Sequence, residues 1–231
     1  MDAFVKPRLM LAAALALGAW TAAAQAQTLD EQVRALLAGG MTPENAASRL
    51  VAMGAYPEDV AALLFRAAPR AIRAVAFAVV RDGARVPGTA LVPLAAELAG
   101  IAQPAAVPAA AAIALAAPDQ ITEAAAVLAQ AVPQAAPLII ATVAKTLPTA
   151  TAACAGAAAR AVPQQGIFIA AAAAVAHPEG KEAAFIAVGQ AIGMPTERVA
   201  TLAEASEAVG ANAFREADEA LAGLPLRSPV R

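Results

Sequence analysis

The sequence has few of the side chains on which enzyme chemistry depends. It contains one cysteine and one histidine, and its three serines, Ser48, Ser206 and Ser228, lie outside any nucleophile-elbow motif. No glycine-rich phosphate-binding motif is present. With a single cysteine, no disulfide can form within the chain. We therefore predict a protein that is not an enzyme, with no catalytic residue, no cofactor and no metal site.

The two potentially reactive side chains have structural explanations. Cys154 lies in an alanine-rich stretch, where we expect a buried small hydrophobic residue. His177 precedes Pro178, where we expect a capping or surface side chain. A Cys–His pair is the catalytic alternative, and it would need a third group to orient the histidine. The sequence also leaves open a carrier with an alanine-lined cavity for a small ligand.

Charge and aromatic residues are also scarce. Charged residues make up 15% of the chain and aromatic residues 3%, whereas a typical soluble domain has roughly 25% charged residues. The net charge of −2 gives no indication of nucleic-acid binding. Alanine, the commonest residue, favours helices and lets helix backbones approach closely. Since no run of alternating β-branched residues occurs, we predict an all-α fold without a sheet.

The N-terminal segment has the features of a secretory signal peptide. Lys6 and Arg8 precede an apolar stretch from Leu9 to Trp20, and Ala24-Gln25-Ala26 is a small-x-small cleavage site. We predict cleavage after Ala26 and a periplasmic or secreted protein. The alternative is an uncleaved membrane anchor, for which the apolar stretch is short. The predicted organisation is a signal peptide at 1–26, a helical repeat domain at 27–223 and a disordered tail at 224–231.

Prolines recur along the chain at a constant interval. Pro118, Pro133, Pro148, Pro163 and Pro178 are each 15 residues apart. Proline fits the first turn of a helix and disfavours helical geometry in the residue before it. The spacing therefore predicts a series of short helices, each beginning at a proline.

A second period of 30 residues is superimposed on the first. Ala131-Val132-Pro133-Gln134 recurs as Ala161-Val162-Pro163-Gln164. Alternate helices thus resemble each other, which is typical of a stack of antiparallel helical hairpins. We predict about thirteen short helices in antiparallel hairpins, arranged as an α-solenoid or as a compact helical bundle. The predicted helices begin at Thr28 and run approximately over 43–53, 57–67, 69–81, 88–101, 104–116, 118–131, 133–146, 148–161, 163–176, 178–192, 195–209 and 211–222.

This pattern resembles exported, alanine-rich repeat proteins with helix-starting prolines, and it overlaps loosely with short HEAT-like solenoids. The resemblance is compositional and covers residues 104–193 best. It implies an architecture only and carries over no functional residue.

The arginines between positions 66 and 85 form a candidate binding patch. Arg66, Arg70 and Arg73 are spaced so that they share one helical face if the backbone stays helical through Pro69, and Arg81 and Arg85 follow. The functional interpretation is a patch for an anionic membrane surface, a polyanion or an acidic partner. The structural alternative is an ordinary solvated face.

The remaining charge is unevenly distributed. Residues 98–177 contain only Asp119, Glu123, Lys145 and Arg160 as charged residues, and acidic residues predominate after Pro178. A charge-poor surface indicates either tight self-packing or contact with a partner or membrane. A basic N-terminal region and an acidic C-terminal one could also associate head to tail. We therefore expect a protein-binding or self-assembling module, with a membrane-surface protein that binds anionic lipid as the alternative.

Overall fold

The computed structural model describes residues 28–224, which form thirteen α-helices and no strand. The predicted all-α array is therefore confirmed. The signal peptide predicted at 1–26 lies outside the described residues, and so does the disordered tail predicted at 224–231, except for its first residue, Leu224. The helices are α1 (Leu29–Ala38), α2 (Pro43–Ala52), α3 (Pro57–Ala67), α4 (Ile72–Gly83), α5 (Leu91–Ile101), α6 (Ala106–Ala116), α7 (Ile121–Ala131), α8 (Ala136–Thr146), α9 (Thr151–Ala161), α10 (Gly166–Ala176), α11 (Lys181–Ile192), α12 (Thr196–Ala205) and α13 (Glu207–Leu221).

The regularly spaced prolines occupy one repeated backbone junction, of which Pro148 is an example. The preceding residue, Leu147, leaves the helical region (φ −145°, ψ 75°), and its N–H donates to the carbonyl of Val143 at 2.7 Å. Pro148 then opens a 3₁₀ turn, closed by the N–H of Ala150 donating to the carbonyl of Leu147 at 3.0 Å. The prolines thus separate the helices as predicted, but each α-helix begins three residues later than the proline.

The helices form two layers. In one layer α2, α4, α6, α8, α10 and α12 pack against each other in succession, and in the other layer α1, α3, α5, α7, α9 and α11 do so. Consecutive helices are antiparallel: at Gly166, the start of α10, an added Cβ would meet Ile192 at the end of α11. The 30-residue period therefore corresponds to one helix from each layer.

The core is built from alanine with one or two larger side chains per helix. Ile113, Leu128, Ile139 and Ile169 are fully buried among alanines. Small residues bring neighbouring helices close together, since a Cβ placed on Gly156 of α9 would lie 3.1 Å from the Cβ of Ala187 on α11. The array therefore gains stability from close backbone packing as well as from the burial of large side chains.

The last helix, α13, lies across the even-numbered layer and contacts α10, α8 and α6. Its contact side is made of small residues. A Cβ on Gly210 would lie only 2.5 Å from the carbonyl oxygen of Ala171, and Ala213 and Ala217 pack against alanines of α8 and α10. The side chain of Lys145 on α8, only 14% exposed, forms an ion pair with Asp218.

The C-terminal helix boundaries differ from the prediction. Residues 195–209 and 211–222 were expected to be separate helices divided at Gly210, but the break lies at Ser206 and Gly210 is inside α13. The predicted boundary is wrong because it rested on the tendency of glycine to end helices. In this helix Gly210 allows close contact with α10 and does not end the helix.

Candidate binding surface

Because successive helices alternate in direction, the junctions between them alternate between the two long edges of the array. One edge carries the α3–α4, α5–α6, α7–α8 and α9–α10 junctions. The opposite edge carries the α4–α5, α6–α7, α8–α9 and α10–α11 junctions. Equivalent positions of the repeat therefore line up along each edge.

The residue that follows the junction proline differs in charge between the two edges. On the first edge it is the exposed Arg70, Gln134 or Gln164, with the buried Ala105 at the α5–α6 junction. On the opposite edge it is Asp119, Thr149 or Glu179, which are all exposed. The two edges thus share a backbone geometry but offer cationic and amide groups on one side and mainly acidic groups on the other.

The third residue before the proline extends this difference. On the first edge the position holds Arg66, Gln130 and Arg160, with Ile101 at the α5–α6 junction, and all of them are exposed. Among residues 28–224, no ion pair involves Arg66, Arg70, Arg73 or Arg160. We call the exposed arginines and glutamines at these two positions, together with Arg73, the basic edge. It comprises Arg66, Arg70, Arg73, Gln130, Gln134, Arg160 and Gln164.

The predicted arginine patch divides into two groups. Arg66, Arg70 and Arg73 come together at the α3–α4 junction, but Ala68 (φ −139°, ψ 70°) interrupts the helix that was expected to continue through Pro69. The other two arginines, Arg81 and Arg85, lie at the far end of α4, on the opposite edge. Sequence reasoning did not place Arg160 and the glutamines beside the first group. The 30-residue register relates Gln130 and Gln134 to Arg160 and Gln164, but Arg70 and Gln134 are 64 residues apart, so the fold alone places the first group on the same edge.

Arg81 and Arg85 are held by the carboxylate of Asp82. Arg81 donates to it through Nε at 2.9 Å and Nη2 at 2.7 Å, and Arg85 through Nη1 at 3.3 Å. Arg81 also donates to the hydroxyl of Ser48 on α2 at 3.1 Å and lies over the ring of Phe77, 5.8 Å from its centroid. This cluster therefore links α2 to α4.

The buried position of Asp82 affects its ionisation in two opposing ways. Burial favours the neutral carboxyl group, but the hydrogen bond from Arg81 and the charges of Arg81 and Arg85 outweigh it, so the pKa of Asp82 lies below its usual value. The hydrogen bond to Asp82 likewise raises the pKa of Arg81. A groove of about 550 Å³ beside the cluster is lined by these groups and by Val51, Val86 and Pro87. Its two guanidinium groups face one carboxylate, so the groove has a weak net positive charge.

Cys154 is buried and its thiol lies 3.8 Å from the hydroxyl of Thr122. Burial raises the pKa of Cys154 to about 11, so the thiol is protonated at neutral pH and is a poor nucleophile. His177 lies in the α10–α11 junction, where its Nδ1 is buried against Gly180. Nothing in the described part of the chain hydrogen-bonds to that nitrogen.

A second groove, of about 530 Å³, lies where α13 leaves α12. Its polar lining consists of Lys181, Glu204 and Glu207, and its apolar lining includes Phe185 and Val175. Within residues 28–224, no three His, Cys, Asp or Glu side chains lie close enough to share a metal ion. The described helices are all too short or too polar to cross a bilayer.

Comparisons with protein-family models, with curated proteins and with solved structures found no match to this chain.

Proposed function

We propose that this protein is an exported, non-catalytic helical repeat module that binds another protein, with an architecture related to short HEAT-like solenoids. One observation carries the proposal: at equivalent exposed positions the repeat presents mainly cationic and amide side chains along one edge and mainly acidic ones along the other. Repeat proteins characteristically use such extended surfaces for binding. Helix ends supported by a packed array also hold these side chains at fixed positions, which lowers the entropic cost of association.

Site-specific photo-crosslinking in the native cell tests the binding function. A photoreactive phenylalanine analogue would replace Gln134 on the basic edge or, as the matched control, Thr149 at the equivalent position of the opposite edge. We expect one defined protein adduct from position 134 and a much weaker one from position 149. Absence of a protein adduct from every exposed position along both edges would contradict the proposal.

The proposed export has a separate test. Mass spectrometry of the protein recovered from the periplasm or medium should identify Gln27 as the first residue of the mature chain. A chain that keeps residues 1–26 in the membrane fraction would instead support the N-terminal anchor.

A second candidate function is adsorption to an anionic membrane surface. It is favoured by Ile101 and Phe168, which are 48% and 38% exposed beside the arginines of the basic edge. Each arginine near an anionic bilayer contributes about 1 kcal/mol, and the apolar side chains could enter the headgroup region. Co-sedimentation with vesicles containing phosphatidylserine tests this function. A protein that stays in the supernatant at low salt would contradict it.

A further inference from the structure

We infer that the basic edge binds an extended acidic polypeptide segment of the partner, laid across the junctions from α3–α4 to α9–α10. The inference rests on the proposed protein-binding function and adds the chemistry and position of the bound segment. The charges that follow the junction prolines differ between the edges: arginines without an ion-pair partner lie on this edge, whereas Asp119 and Glu179 are exposed on the other.

The charge of the basic edge has no counterpart within its own junctions. Four arginines are exposed, and the junction segments 66–73, 100–106, 130–136 and 160–166 contain no Asp or Glu. By contrast, Asp82 holds Arg81 and Arg85 on the opposite edge. An acidic ligand would therefore meet available cations on the basic edge without first displacing an internal carboxylate.

The spacing of the edge fits an extended chain. Neighbouring helices of one layer lie about 8–10 Å apart, and a segment extended in the polyproline II conformation advances about 3.1 Å per residue and presents every third side chain on the same side. About three residues therefore bridge one junction to the next, and about nine residues span the edge from Arg70 to Gln164. Acidic side chains at every third position would meet the arginines at both ends and the amides of Gln130 and Gln134 between them.

The glutamines favour a polypeptide over the other anionic partners. An amide both donates and accepts hydrogen bonds, so a row of Gln side chains can pair with the peptide groups of an extended segment. A bilayer surface offers no such regular row of partners, and the apolar side chains on the edge, Ile101 and Phe168, are only partly exposed. A second copy of the chain would have to present its opposite edge, where the positive charge of Lys181 lies between Glu179 and Glu182.

Fluorescence anisotropy with a labelled acidic peptide tests the inference. The probe has about twelve residues, with Glu at every third position and Gly or Ser between. Substitution of Arg66, Arg70 and Arg73 by Gln should weaken binding about tenfold, since each exposed pair contributes modestly. Arg160→Gln combined with Gln164→Ala should weaken it about threefold.

The matched control removes the same number of positive charges away from the edge. Arg34, Arg49 and Arg215 are exposed, and replacing all three by Gln should change affinity by less than about twofold, because distant exposed charges are screened. Circular dichroism of every variant verifies that the helices remain folded. Raising the salt concentration should weaken binding of the wild-type protein and diminish the difference between the variants.

Several outcomes would overturn the inference. Equal losses in the edge variant and the control would mean that only net charge matters. Full affinity in the Arg160→Gln/Gln164→Ala variant would confine binding to the α3–α4 junction. Failure to bind the peptide, combined with Arg-dependent binding to phosphatidylserine vesicles or Arg-dependent self-association in sedimentation, would assign the edge to a membrane or to a second copy. A protein adduct from position 134 without peptide binding would leave the proposed function standing and refute only the acidic segment.

Discussion

The two long edges of the array have the same backbone and different chemistry. At Pro148 and at Pro163 the preceding residue is extended and a 3₁₀ turn leads into the next helix. The residue three positions before the proline is Lys145 in one case and Arg160 in the other. Lys145 is covered by α13, whereas Arg160 is exposed. The comparison shows that the 15-residue period sets the geometry, and that the 30-residue period determines which side chains each edge presents.

Deleting 15 or 30 residues should produce the largest difference between the effects of the two periods. Removing residues 133–147 joins Val132 to Pro148 and preserves the local junction, but it moves every later helix into the other layer. We expect loss of cooperative folding, a cost above about 5 kcal/mol. Removing residues 133–162 keeps each remaining helix in its layer and should lower the unfolding free energy by about 2–4 kcal/mol. Circular dichroism during chemical denaturation measures both, and comparable stability of the two deletions would contradict the layer assignment.

A substitution at Asp82 tests whether Arg81 and Arg85 on the opposite edge have a structural role. Asp82→Asn leaves Arg81 partly buried without its carboxylate and should destabilise the protein by about 2 kcal/mol at neutral pH. Because the folded pKa of Asp82 is lowered, its contribution is present above the ordinary carboxyl pKa of about 3.9 and is lost as the pH falls through the lower folded value. The difference between wild type and variant should therefore shrink in acid.

Asp119→Asn provides the control for this measurement, since Asp119 is exposed on the same edge. Its unfolding free energy should stay within about 0.5 kcal/mol of the wild type. A penalty for Asp82→Asn that stays constant down to pH 2 would refute the electrostatic explanation.

Lys145 and Arg160 provide a matched pair at one register position. Lys145→Gln removes the ion pair with Asp218 and the ammonium group that lies 3.3 Å from the centroid of the Phe214 ring. It should cost about 1 kcal/mol, whereas Arg160→Gln should cost less than about 0.5 kcal/mol. Thermal unfolding of the two variants measures the difference, and equal costs would mean that α13 does not depend on Lys145.

The smallest expected effect is the loss of stability on replacing a junction proline, and it should be the same on both edges. Pro148→Ala and Pro163→Ala each remove the fixed φ angle at one junction, which should cost about 0.5–1 kcal/mol through the greater freedom of the unfolded chain. Denaturant titration measures each value. A difference of more than about 1 kcal/mol between the two would show that the junctions are not equivalent.

Much of the architecture could be predicted because proline acts locally. Its missing N–H and its effect on the preceding residue determine where one helix ends, so the positions of Pro118 to Pro178 sufficed to divide the middle of the chain. The 3₁₀ turn after each proline was not predicted, because periodicity alone does not distinguish it from the first turn of an α-helix.

The position of α13 could not be predicted by the same reasoning. It depends on which helix meets the small side chains of Gly210, Ala213 and Ala217, and that choice is made by packing between residues distant in sequence. The arginine patch was only partly predictable for a related reason. Arg66, Arg70 and Arg73 are neighbours in sequence, but Arg160 joins them only through the fold.

The crosswise path of α13 has a mechanical consequence. In a stack whose helices contact only their neighbours, each helix pair can rotate and shift slightly relative to the next pair. Because α13 contacts α6, α8 and α10 at once, it restricts their movement relative to one another. Helices α1 to α5 lack this contact and should therefore be the more flexible half of the stack. We expect hydrogen exchange to be slower in α8 and α10 than in α2 and α3, and truncation before Glu207 should abolish the contrast. Any partner that deforms the protein would then bend it at the end where Arg66, Arg70 and Arg73 lie.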